Sequence, residues 1–107
     1  MAWRLTYYNA KVAKIVADWP PGIRADFLHI AQMMLDHGPD IGMPHTRAMG
    51  AGLFEVRAKG REGIGRAFYC TVAGRRIVIL HAIIKKTEKT PAAALETARA
   101  RLKELTR

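Results

Sequence analysis

Lys85, Lys86 and Lys89 stand at the end of an apolar run, Ile77 to Ile84, and two arginines, Arg57 and Arg66, lie in the strand-like segments just before it. An apolar, β-branched segment favours extended backbone, so cations at its end and on its neighbours form a fixed positive surface at the mouth of a small sheet. Such a surface suits a phosphate backbone. Arginine clamps phosphate oxygens bidentately, whereas a lysine among other cations gives up its proton more easily and approaches proton-transfer duty. Tyr69, His81 and His45 are the other side chains able to carry a proton, and no pair of carboxylates or histidines defines an acid and a base more sharply.

Strand alternation orients several of these groups. In Leu53-Phe54-Glu55-Val56-Arg57 it puts Phe54 and Val56 on one face and Glu55 and Arg57 on the other, so Arg57 points away from the core. There it is either a phosphate contact or a solvated residue paired with Glu55 or Glu62. Arg66 shares parity with Phe68 and Cys70, which turns it inward unless Gly65 or a bulge re-aims it. His81 shares parity with Ile77, Ile79 and Ile83 and reads as a core or half-buried histidine. Tyr69 is open to stacking on a base or to an ordinary strand position, and His45 and Arg47 fall in a Gly- and Pro-rich loop where exposure is expected. For the lysines the bland alternative is a solvated strand end, with Lys89 simply preceding a helix cap. Cys70 reads as a small buried apolar residue, His29 and His37 as surface, and Met33-Met34 as core packing.

The elements that must hold these residues are few. A chain of 107 residues, half of them hydrophobic, is sized for a single domain over 1–107. Trp3 to Tyr8 reads as a strand, and Asn9 caps a short helix carrying Val12, Ile15, Val16 and Trp19, which Pro20-Pro21 stops. A second helix from about Gly22 sets Ile23, Phe27, Ile30, Ala31 and Met34 on one face and ends at His37-Gly38-Pro39. Asp40 to Gly52 reads as a connecting loop with a short extended piece. Leu53 to Ala58, Arg66 to Val72 and Ile77 to Ile84 read as three hairpin-linked strands. Thr90-Pro91 reads as a cap and first-turn proline, opening a last helix with Leu95, Ala98, Leu102 and Leu105 on its stripe. The expected fold is α+β: a small antiparallel sheet with two N-terminal helices and a C-terminal helix, in the order β-α-α-β-β-β-α, one sheet face covered and the other partly open.

Charge narrows the partner. Eighteen Lys and Arg against nine Asp and Glu give a formal net charge of +9, a nucleic-acid-like balance, although an anionic membrane or an acidic protein would answer it too. Met1 to Tyr8 holds no signal-peptide core and no segment is long enough to span a bilayer, so the expected compartment is the cytoplasm, with no membrane partner. The single cysteine excludes an internal disulfide and a thiolate metal cluster.

Four stretches together carry a family resemblance: Pro44-His45-Thr46-Arg47, Gly52-Leu53-Phe54-Glu55-Val56-Arg57, Arg66-Ala67-Phe68-Tyr69, and Leu80-His81-Ala82-Ile83-Ile84-Lys85-Lys86-Thr87-Glu88-Lys89-Thr90-Pro91. In order and spacing they resemble the HigB-like branch of the RelE toxin superfamily of bacteria and phages, and the following Ala98-Arg99-Ala100-Arg101-Leu102 fits the same pattern. The resemblance covers nearly the whole chain. It implies the toxin of a type II toxin–antitoxin pair: an endoribonuclease needing no metal or other cofactor, cutting messenger RNA on the ribosome, silenced by an antitoxin with a helix-turn-helix domain. On this resemblance Arg57, Arg66, Lys85 and Lys86 are the expected catalytic residues, and Arg47, Tyr69, Lys89 and His45 the expected RNA contacts.

RNA cleavage without a metal requires in-line attack of the 2′-hydroxyl on the adjacent phosphorus, so the protein must orient the nucleotide, move a proton and stabilise added negative charge. Several RelE-type toxins carry a tyrosine or histidine close to the C-terminus, whereas the sequence after Pro91 has neither. A proton donor here is then Tyr69, His81 or ribosomal RNA. The competing reading is a non-catalytic RNA- or ribosome-binding module on the same scaffold, since a basic face explains binding without cleavage.

Overall fold

A computed structural model describes residues 2–85 and 90–106. Strand β1 (Arg4–Tyr7) leads into helix α1 (Ala10–Ala17), which Asn9 caps by accepting a 2.9 Å hydrogen bond from the Val12 amide. A cap of this kind is worth about 1 kcal/mol. Helix α2 (Pro21–His37) starts on a proline, whose missing N–H costs nothing in the first turn, and stops at Gly38, whose φ of 107° favours glycine. Its buried face is Ile23, Phe27, Ile30, Ala31 and Met34, as the helical spacing predicts.

Four strands follow: β2 (Thr46–Gly50), β3 (Leu53–Gly60), β4 (Gly63–Val72) and β5 (Arg76–Lys85), and helix α3 (Ala92–Leu105) ends the chain. The sheet order is β1-β5-β4-β3-β2. Its β2, β3, β4 and β5 pairings are antiparallel, but β1 runs parallel to β5, so the α+β class stands with a mixed rather than purely antiparallel sheet. The reason lies in β5. Ile77, Val78, Ile79 and Leu80 are all buried, so this strand is covered on both faces and its outer backbone edge needs a partner, which β1 supplies. Strand β2 adds an edge on the far side, within the stretch expected to be a loop, and turns into β3 through Gly50-Ala51-Gly52, all at positive φ.

Each sheet face has its own core. Helices α1 and α2 cover one, where Val56, Ala58, Ala67, Tyr69, Ile77, Ile79 and Ala82 meet Val12, Val16, Trp19 and the α2 face. Gly65 belongs here: a Cβ on it would lie 2.7 Å from Ile23 and 2.9 Å from the Trp19 ring, so this glycine admits Trp19. It does not re-aim Arg66.

Helix α3 covers part of the opposite face through Ala94, Ala98 and Leu102, packed on Leu53, Phe68, Cys70, Val78 and Leu80. Ala94 takes the place on this stripe expected of Leu95, which packs at its margin, and Leu105 is exposed. Arginines pin the helix to the sheet: Arg101 donates to the Leu80 carbonyl at 2.7 Å, and Arg99 to those of Met49 and Gly50 at 2.9 and 3.2 Å. Thr90 does not cap α3, because Pro91 holds the cap position; the Thr90 hydroxyl lies 3.4 Å from Lys85 Nζ instead. No helix among the described residues is long and apolar enough to cross a membrane.

Candidate functional site

A β-bulge determines which residues meet. Between β4 and β5 the register shifts, Phe68 pairing with His81 and Tyr69 with Ile79, so Leu80 is an extra residue in β5. Before the bulge Ile77 and Ile79 face α1 and α2; after it Ala82 does, and Ile83 packs on the α3 side. The odd positions therefore change face. Lys85 joins the face of Arg57 and Arg66 rather than that of Ile77, and His81 leaves the isoleucine face its parity predicts.

The register aligns the rest. Arg47 stands opposite Glu55 across β2–β3, and Arg57 opposite Arg66 across β3–β4, all on the part of the face beyond the α3 core. At its centre is Glu55, fully buried. Its Oε1 accepts from Arg66 Nη1 at 2.7 Å, and Arg47 Nη2 approaches the same oxygen at 3.6 Å. Arg66 is 3% exposed, so its inward turn follows strand parity, and the carboxylate makes that burial affordable. The Arg47 side chain is 46% exposed and faces solvent.

Arg57 is half-buried, and among the described residues its buried Nε has no hydrogen-bond acceptor. Neither Glu55 nor Glu62 is bonded to it, since Glu62 accepts from the Gly22 amide at 3.1 Å, tying the β3–β4 turn to the start of α2. The Arg57 amide donates to the His45 carbonyl at 2.8 Å, which extends the β2–β3 ladder and sets His45 beside Arg57 in the chain path. His45 is half-buried.

Lys85 is 5% exposed. Burial pushes its ammonium below the ordinary lysine value; Arg66, Arg57 and Arg47 add to that, and Glu55 opposes it. His81 is likewise pushed down, by burial first and then by Arg101, and its buried Nδ1 has no partner among the described residues.

Tyr69 goes elsewhere. It is fully buried on the α1–α2 face, stacks on Phe54 at 5.4 Å, and donates its hydroxyl to the Pro39 carbonyl. Burial raises its pKa above the ordinary tyrosine value. Tyr69 is thus a core residue, because odd positions of β4 face the helices, and it offers no ring to a base from solvent. Lys86 and Lys89 lie outside the described residues. Of the expected residues the fold brings together Arg47, Arg57, Arg66 and Lys85. Glu55 was not singled out from sequence; its signal is the shared parity with Arg57, which becomes legible once Arg47 is known to lie on a strand.

The arrangement can hold an anion. Four cations, Arg47, Arg57, Arg66 and Lys85, surround one carboxylate, and two of them reach solvent at least in part. A solved structure with a similar fold is that of an archaeal RelE–RelB complex from Pyrococcus horikoshii OT3: the likeness spans 80% of this chain and 98% of that one at 20% identity, with a TM-score of 0.57. No curated protein sequence matches the chain. The family model described as "Phage derived protein Gp49-like" matches residues 14–103, which takes in the second half of α1, all of α2, the whole cation cluster and most of α3, and the chain belongs to that family.

Proposed function

We propose that this protein is the toxin of a type II toxin–antitoxin pair, of the HigB-like kind, and a metal-independent endoribonuclease that cuts messenger RNA on the ribosome in the cytoplasm. The observation that carries the reading is the convergence of Arg47, Arg57, Arg66 and Lys85 on one end of a sheet face, in a fold similar to RelE. A partner antitoxin is supported by the similar structure, which is a RelE–RelB complex. A helix-turn-helix domain in that antitoxin is part of the same proposal.

The chemistry runs through the residues of the cluster. Arg57, half-buried and paired with neither Glu55 nor Glu62, takes a non-bridging phosphate oxygen and stabilises charge as the 2′-hydroxyl attacks phosphorus and the 5′-oxygen departs. Arg47 contributes a solvent-facing guanidinium beside it. Lys85, its proton affinity lowered, is the cluster's group nearest to proton-transfer duty. Lys86 remains a candidate catalytic residue, and Lys89 and His45 remain candidates for RNA contacts.

Induced expression in bacteria tests the reading: growth arrest with cut transcripts supports it, and arrest without cuts replaces it by a non-catalytic ribosome- or RNA-binding module. One observation favours that second reading. The burial of Lys85 leaves no strongly exposed proton carrier in the described cluster.

A further inference from the structure

We propose that Glu55 is a positioning residue of this site, resting on the ribonuclease reading above: its buried carboxylate fixes Arg66 and draws in Arg47, leaving Arg57 as the guanidinium presented to phosphate. The geometry supplies three reasons.

Arg57 and Arg66 are direct cross-strand neighbours, and like charges so placed repel. An anion on the same face is needed to hold them together, and Glu55 sits two positions before Arg57 in β3. Its charge goes to Arg66, at 2.7 Å, and to Arg47, at 3.6 Å, and not to Arg57. The result is a division of labour among three arginines: one anchored, one leaning, one with an empty Nε.

Glu55 is fully buried, so it does not meet a substrate and acts only through its neighbours. Its second oxygen, Oε2, is also buried and accepts no hydrogen bond among the described residues. The carboxylate therefore works through Oε1, and its hold on the arginines depends on full negative charge rather than on a wide hydrogen-bond network. Glutamine keeps the shape and loses that charge. Aspartate keeps the charge and shortens the reach.

The experiment uses the whole chain carrying Glu55→Gln or Glu55→Asp, with nitrogen-15 arginine side-chain NMR and messenger cleavage in a cell-free translation extract. In the parent, the Arg66 guanidinium resonance shows hindered rotation. In Glu55→Gln that hindrance is lost, and the maximal cleavage rate falls by at least about tenfold while the half-saturating messenger concentration changes far less, the pattern of a contact made in the transition state. Glu55→Asp recovers part of both signals. A folded Glu55→Gln protein with Arg66 still hindered, or with parental cleavage, overturns the proposal. If Glu55→Gln does not fold, Glu55→Asp decides: partial loss of both signals supports positioning, and parental values of both overturn it. A parent that cuts no messenger fails the ribonuclease reading alone, and the Arg66 resonance then supports or overturns the anchoring role by itself.

Discussion

Arg57 and Arg66 face each other across the β3–β4 ladder, yet one has an unfilled Nε and the other is locked to Glu55 at 2.7 Å. Two arginines of equal charge on one face thus have unequal tasks. Their alanine variants should fail in different ways.

Arg57→Ala removes a phosphate contact and also relieves a like-charge neighbour. The variant keeps the parent's stability or gains slightly, and loses cleavage by on the order of 10² to 10³. Growth after induction, with circular dichroism as the folding control, checks both parts. A folded Arg57→Ala protein as toxic as the parent sinks its assignment.

Arg66→Ala instead leaves a buried carboxylate without its nearest partner. Breaking a buried pair from one side costs roughly 3–5 kcal/mol, and the low end applies because Arg47 stays within reach of Glu55. Urea unfolding of the variant against the parent measures it. Loss of toxicity in Arg66→Ala is then a folding effect as much as a chemical one.

Salt should weaken RNA binding steeply. On single-stranded RNA each phosphate contact contributes a slope of about 0.7 in log K against log salt, so Arg57→Ala and Arg47→Ala should each flatten the line by about that much. Arg101→Ala should leave the slope alone, since its guanidinium is engaged with the Leu80 carbonyl. Fluorescence anisotropy at several salt concentrations separates these outcomes.

His81 gives a pH signature. Its native proton affinity is held below the ordinary value of 6.5, so below that pH the unfolded chain binds the proton first. Stability is therefore fully present above pH 6.5 and falls as the solution is acidified through the lowered native value. His81→Phe should flatten this part of the curve. Denaturation midpoints between pH 7 and 5 provide the measurement; an unchanged profile would show that His81 is not the source.

Much of this architecture was legible in the residues. The α2 face, the Asn9 cap and the placement of Arg57 on the face opposite Val56 follow from periodicity and short-range chemistry, which a linear sequence carries directly. Strand β2 was hidden by Gly42, Pro44, Gly50 and Gly52, which read as loop, and with it the pairing of Arg47 and Glu55. The parallel placement of β1 depends on a contact with β5, a strand far along the chain, which no local pattern encodes. Tyr69 could have gone to either face, because its parity decides nothing until helices are assigned to faces. For the candidate site, residue types pointed to the right strands, while the anchoring of Arg66 by Glu55 emerged only from three-dimensional register.

The Leu80 bulge makes the cluster sensitive to chain length in a way that residue type alone does not capture. It works as a half-turn inserted into β5: five residues further on, Lys85 emerges among the arginines because one additional position was spent upstream. Substitutions along Leu80 to Ile84 leave that phase intact. Removing a single residue there would rotate Lys85 to the side of Trp19 and Ile23, dismantling the cluster while every charged residue is still present in the chain.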